Sequence, residues 1–378
     1  MAKLKVTHVC PVTPNGCGLY ETVRELAWAE RKLGINARIF DPRPYQRDVI
    51  GKKKLQVKDV ECPKCKVKFQ LPITQSDIQF RPPAWAGDRG VCIVPLEEAL
   101  KSDILVSHSG LEKTQFGESK IPRIHVAHGR PNSSYRLERT RQSPIYKSYH
   151  EMSGDDRWKV MITLWPGYEH FLKLLFPRVV VMNAFVDLDF WKPLETKFDF
   201  DGKTSEVNIV TTDIWRMDKD PFWAIHAFAM FAENCPGAKL HIYGLTGPPE
   251  GRNTLLECLD ERGILGDVKP MVNYLRDVYN AADVLVTPHK IATRVVREAL
   301  ACGTQVVAGA GNPYTPYTAD IEDLPTMVNT IERAYGNRIA NKANRIKENR
   351  KMAEQSFNIW DTAKEFIKLF ERYSGKEV

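Results

Sequence analysis

Residues 281–309, AADVLVTPHKIATRVVREALACGTQVVAG, restrict what this chain can fold into more than any other stretch. Residues 283–287 are short and almost wholly apolar, the pattern of a strand buried in a parallel sheet. Residues 288–292 read as a loop. From 293 to 302 apolar residues recur at helical spacing, at Val295, Val296, Ala299 and Leu300. Gly303 follows, and glycine's tolerance of positive φ commonly ends a helix. Residues 305–308 are a second short strand. The sum is a βαβ unit, whose crossover is right-handed in nearly all cases. Its loop feeds a helix N-terminus, which attracts phosphate, and Arg294 and Arg297 add charge there. Glu298, on the second turn, is placed to accept hydrogen bonds from ribose hydroxyls. An ordinary α/β unit with surface charges has the same spacing.

With 378 residues the chain has room for two domains. No apolar run approaches the roughly 20 residues of a membrane span. Residues 1–5 lead straight into a strand-like run, unlike an export signal, and the eight scattered cysteines then suit reduced thiols in a cytoplasm. Charge is unevenly spread. Residues 1–195 carry 31 Lys and Arg against 22 Asp and Glu, whereas residues 196–378 carry 23 against 25. A one-sided positive field suits an acidic partner for the first half, or is a merely solvated basic surface.

In chain order, residues 5–10 read as a strand and 11–18 as a Pro/Gly/Asn loop. Residues 19–33 read as a helix stopped by Gly34, and 37–40 as the next strand. Residues 41–94 break this rhythm and read as an insertion. They hold Lys52, Lys53 and Lys54, then Cys62-Pro63-Lys64-Cys65, which is one zinc-knuckle half. Four ligands are needed, and Cys92 or a distant histidine could complete the set; a β-turn that happens to hold two thiols is the alternative. Strands at 104–107 and 122–127 end at His108 and His128, where α/β folds place ligands. A lone histidine is more often structural; two at strand ends shift the balance toward function. Residues 130–150 interleave Arg130, Arg136, Arg139, Arg141 and Lys147 with Tyr135, Tyr146 and Tyr149. That mixture suits a polyanion with stackable bases, or an exposed loop.

Several of these stretches resemble the group 1 nucleotide-sugar glycosyltransferases, retaining enzymes of the GT-B fold. Glu298-Ala299-Leu300-Ala301-Cys302-Gly303 and the Val306-Val307 strand resemble the second half of that family's Glu-x7-Glu signature. Lys290 stands where the first glutamate is expected. Cys17-Gly18 with Val23-Arg24-Glu25-Leu26-Ala27 resembles the family's glycine loop, Cys17 replacing its first glycine. Residues 183–193, NAFVDLDFWKP, resemble its interdomain linker, and Phe357-Asn358-Ile359-Trp360 its Phe-x-Trp before a last helix. Lys219 matches a diphosphate-gripping lysine; the Gly-Arg pair before it is absent, and Arg216 is the nearest substitute.

The resemblance implies two Rossmann-like α/β domains facing across a cleft, with the C-terminal helix crossing back to the first. We place an acceptor domain at 1–190, with the 41–94 insertion and helix 358–378, and a donor domain at 191–357. It implies catalytic roles for His128, Lys219 and Arg216. Donor contacts fall to Gly18, Gly244, Tyr274, Lys290, Thr293, Arg294, Val295 and Glu298, with backbone at 272–274 holding the base. Acceptor contacts fall to His108, Arg130, Arg136, Arg139 and Arg141. A UDP- or GDP-sugar is the expected donor, and catalysis needs no metal; zinc on Cys62 and Cys65 would be structural. The basic first half favours DNA with a hydroxylated base, as viral DNA-modifying glycosyltransferases use. A lipid, glycan or small metabolite, or a catalytically silent nucleic-acid-binding scaffold, are the alternatives.

Overall fold

A computed structural model of the chain describes residues 3–11, 18–45, 57–72, 88–108, 116–128, 145–195, 198–213, 222–244, 252–270 and 272–377. The chain forms two compact units, Met1–Ala184 with Ile359–Val378, and Phe185–Asn358. Among the described residues no helix is long and apolar enough to cross a membrane.

The first unit opens with β1 (Lys5–Val9), α1 (Gly18–Lys32) and β2 (Asn36–Phe40). Then come the hairpin strands β3 (Val57–Glu61) and β4 (Lys68–Pro72), the single turn α2 (Leu96–Ala99), β5 (Ile104–Ser107) and β6 (Arg123–Ala127). Helix α3 (Ile145–Ser153), β7 (Trp158–Thr163), α4 (Tyr168–Leu172) and β8 (Val179–Val181) complete the run. The main sheet has the order β2-β1-β5-β6-β7-β8, every pair parallel. Its strands are apolar because helices cover both faces. Gly34, at φ 101°, ends α1 in the left-handed region that glycine enters without strain.

The second unit contains β9 (Val207–Thr211), α5 (Phe222–Asn234), β10 (Ala238–Tyr243), α6 (Arg252–Glu261) and β11 (Leu265–Lys269). It continues through α7 (Leu275–Ala281), β12 (Val284–Val286), α8 (Arg294–Ala301), β13 (Gln305–Gly309) and β14 (Thr318–Ala319). Helices α9 (Leu324–Ala340) and α10 (Lys342–Ser356) close it. The strand order β11-β10-β9-β12-β13-β14 is again all parallel. Two buried apolar clusters flank this sheet, one including Val210, Leu285, Val296 and Leu300, the other Ile209, Phe228, Ile242 and Ile331. The βαβ unit stands as its pattern predicts, and Gly303 stops α8 at φ 82°. The last helix, α11 (Ile359–Ser374), belongs to the first unit, where Trp360 packs on Trp28 of α1 with ring centroids 5.3 Å apart.

Three elements differ from the sequence reading. The insertion holds a regular antiparallel hairpin, β3–β4, whose first strand is almost wholly exposed and whose second alternates only at Phe69 and Leu71. Part of the basic arm is helical, as α3. Its Tyr149 is buried against His125 (centroids 5.1 Å apart), so it is core and not a platform for bases. Residues 324–356, to which the motifs above assign no element, form two helices parted at Asn341, whose extended φ of −154° cannot continue α9.

Candidate active site

In the second unit, sheet order reverses between β9 and β12, neighbours in space that lie far apart in sequence. Ligands of open α/β sheets bind beyond the carboxyl ends of strands at such a point. Asp213, two residues past β9, is fully buried there. The Thr287 hydroxyl donates to its Oδ2 at 2.6 Å, and His289 Nε2 lies 2.6 Å from its Oδ1. One carboxylate thus ties the ends of both central strands. Asn312 then holds the following loop, donating through Nδ2 to the carbonyls of His289 (3.0 Å) and Ile291 (3.3 Å). Gly309 makes this possible: a Cβ there would sit 2.3 Å from the Pro288 carbonyl oxygen. Gly244, past β10 at φ 92°, also lies close in, since its Cβ would come within 3.2 Å of the Asp213 carbonyl oxygen.

The loop delivers Thr293 as the N-cap of α8. Its hydroxyl is buried and has no hydrogen-bond partner among the described residues. A buried polar group is ordinarily satisfied, so this orphan at a helix N-terminus suits a ligand oxygen. Glu298, buried one turn further on, is ion-paired with Arg294 at i,i−4. Tyr274 precedes α7 and packs against Phe198 and Tyr243, whose hydroxyl donates to Asp267 at 2.7 Å. Lys290 is exposed and Val295 half-buried.

In the first unit the order reverses between β1 and β5, and a row of titratable side chains crosses that point. Glu30 Oε2, on α1, lies 2.7 Å from His8 Nε2. His8 Nδ1 lies 3.0 Å from His108 Nε2, and His108 Nδ1 lies 2.8 Å from His128 Nε2. The strand order sets β1, β5 and β6 side by side, so rings at or just past their carboxyl ends meet. Glu30, His8 and His108 are buried and His128 is half-exposed. Burial pushes the Glu30 carboxyl up, although His8 opposes this. Burial, and then the charges of His128 and His8, hold His108 well below the ordinary histidine range. Each neutral imidazole has one donor and one acceptor nitrogen. A row of them can carry a proton between His128 and Glu30 by reversing every tautomer in turn.

Both units resemble solved structures as a whole. A sucrose-phosphate synthase from Thermosynechococcus elongatus superposes with TM-score 0.66 at 16% identity, over 98% of this chain and 99% of that one. HepE of Anabaena, in complex with UDP and glucose, gives 0.68 at 11%, over 97% and 99%. An α-glucosyltransferase in complex with UDP and a 13-mer DNA containing a HMU base gives 0.62 at 12%, over 98% and 100%. The fold is GT-B. Residues 208–333 of its second unit match the family model for glycosyl transferases group 1. No curated protein matches the chain.

On this GT-B framework, Gly244, Tyr274, Thr293, Arg294, Val295 and Glu298 all belong to segments at the carboxyl end of the second sheet. Gly18 is the first residue of α1. His108, expected at the acceptor, is 4% exposed with both ring nitrogens engaged, so it stands behind His128 and does not face solvent. Lys219, Arg216, Arg130, Arg136, Arg139 and Arg141 lie outside the described residues. Sequence reasoning missed Asp213, Thr287 and His289, and also His8 and Glu30. A carboxylate directly after an apolar strand was the available signal for Asp213. Nothing local marked His8, which sits inside an apolar strand.

Proposed function

We propose that the chain is a glycosyltransferase that moves a sugar from a UDP- or GDP-sugar to a hydroxyl of an acidic acceptor, DNA with a hydroxylated base. The observation that carries the donor half is the buried, unpartnered Thr293 hydroxyl at the N-terminus of α8, one turn before buried Glu298, at the topological switch point. Glu298 takes the ribose hydroxyls, exchanging its Arg294 contact for them. Backbone at 272–274 takes the base. Lys219, Arg216 and the α8 dipole stabilise the departing diphosphate, a charge that grows in the transition state. His128 meets the transferred sugar. No metal is needed for this, and the anomeric configuration is retained. The work is done in a cytoplasm.

Support for the acceptor is the charge excess of residues 1–195, the arginines at 130, 136, 139 and 141, and the DNA-bound α-glucosyltransferase among the structural neighbours. A donor screen tests both halves: nucleotide release and melting temperature with a panel of UDP-, GDP-, CMP- and ADP-sugars, with and without hydroxymethylated DNA. DNA-stimulated release from one donor is expected. Stabilisation without DNA-dependent turnover would overturn the acceptor and point to a lipid, a glycan or a small metabolite. No response to any donor would leave a silent scaffold.

A further inference from the structure

The β3–β4 hairpin contributes none of the residues assigned above to the transfer reaction, yet its tip is closely hydrogen-bonded. Cys62 and Cys65 lie on the connection between the two strands. Lys66 adopts φ 59°, a left-handed conformation that a residue other than glycine takes at a cost. That conformation lets the Lys66 N–H donate to the Cys62 carbonyl at 2.8 Å, while the Cys62 N–H donates to the Val67 carbonyl at 3.0 Å. The thiolate is the form of a cysteine that binds metal.

A third sulfur comes from a different part of the unit. Cys92 precedes Ile93, whose segment runs parallel to β2; the Ile39 N–H donates to the Cys92 carbonyl and the Val94 N–H to the Ile39 carbonyl, both at 2.9 Å. The three sulfurs lie within 4.8 Å of one another. Tetrahedral zinc with bonds of about 2.3 Å separates its sulfurs by about 3.8 Å, so this cluster needs only rotamer-scale closure. Cys62 and Cys92 are both buried. All three cysteines are free, and a disulfide between any two would leave the third sulfur without a role.

We propose that Cys62, Cys65 and Cys92 bind one zinc ion as thiolates, with water or a non-sulfur group as fourth ligand, and that the ion clips the hairpin to the edge of the first sheet. Sulfur donors in a closing tetrahedron select zinc over harder cations. Its role is structural: the cluster lies on the insertion, and the switch-point groups of both sheets contribute none of its ligands.

The test is metal content of the full chain purified without chelator. About one zinc per chain is expected, falling at least tenfold in Cys65→Ser and in Cys92→Ser. Far-ultraviolet circular dichroism confirms that each variant is folded. Cobalt added to zinc-stripped protein should give a sulfur-to-metal charge-transfer band of three-thiolate intensity, largely lost in either variant. Chelation should make residues 57–72 susceptible to protease while leaving the second unit resistant. A folded, wild-type chain that holds no zinc and gives no such cobalt band overturns the site. Zinc retained in Cys92→Ser overturns the three-sulfur assignment.

Discussion

From α1 to the carboxyl end of the first sheet, Glu30, His8, His108 and His128 form a row, each ring touching the next. At the carboxyl end of the second, Asp213 draws Thr287 and His289 onto a single carboxylate. Both clusters occupy the point where strand order reverses. They solve different problems. A row transmits: changing its inner end alters what the outer end can donate or accept. A pivot fixes: each Asp213 oxygen is given a partner from the neighbouring strand end, and the loop leading to α8 is set in place. The comparison teaches that one architecture can make one switch point responsive to protons and the other rigid.

The largest effect is expected from breaking the row at its inner end. Glu30 has one partner, His8, because its Oε1 has no hydrogen-bond partner among the described residues. His8→Leu therefore strands a buried carboxyl, at a cost of roughly 3–5 kcal/mol. Combining it with Glu30→Leu should recover most of that, since an apolar pair of similar volume needs no partner. Urea denaturation of the single and double variants reads this directly. A double variant no better than the single would mean that the row is held by packing alone. Breaking the pivot comes next. Asp213→Ala leaves the Thr287 hydroxyl and the His289 ring without their acceptor, about 2–3 kcal/mol. It should also abolish stabilisation by nucleotide, whereas His8→Leu should spare it. If both variants keep the nucleotide response, Asp213 does not set the α8 loop.

Acid sharpens the contrast. Burial lowers His125 to about 3 and His108 well below the ordinary histidine range. His241, also lowered to about 3 by burial, accepts the Asp267 N–H at its Nδ1 and faces Asn208 Oδ1 with its Nε2, which fixes its tautomer. A depressed histidine pKa contributes stability that is complete above the unfolded value near 6.5. That stability is lost as pH falls toward the folded value, because only the unfolded chain gains the proton. Glu30 works the other way, since its raised carboxyl favours the fold as pH falls. Each of the three rings should cost about 1.4 kcal/mol at one pH unit below 6.5. Melting temperatures between pH 7.5 and 5.5 should fall, and His125→Leu should flatten the slope by one ring's share. An unchanged slope in that variant would mean that His125 is accessible to protons in the fold.

Much of the scaffold was legible because it follows from periodicity. Short apolar runs became buried parallel strands, and Gly34 and Gly303 became the left-handed stops that their positions after amphipathic helices imply. The hairpin was not legible, since β3 is almost wholly exposed and the alternation of β4 is confined to Phe69 and Leu71. Nor was the row: Glu30 reads as surface charge on α1 and His8 as part of a core strand. Only strand order, which sequence does not state, brings β1, β5 and β6 together. Of the proposed donor site, Glu298 and Thr293 could be read from a local motif, whereas Asp213 and His289 meet across 76 residues of chain.

The smallest effect on stability is expected at Lys290, and it tests the pivot most finely. Lys290 follows His289, which Asp213 holds, so its backbone is positioned while its side chain is exposed. Exposed substitutions away from special backbone geometry stay within about 0.5 kcal/mol. Lys290→Glu should therefore leave the melting temperature of the free protein unchanged. The signature that the sequence resembles has glutamate at this position, so a charge reversal there is expected to act on the sugar and not on the nucleotide. Stabilisation by UDP or GDP alone should persist, whereas the ranking among sugars on the same nucleotide should change. A variant that loses the nucleotide response as well would place Lys290 at the diphosphate. One that keeps the sugar ranking would place it outside the donor site, leaving the pivot to orient α8 alone.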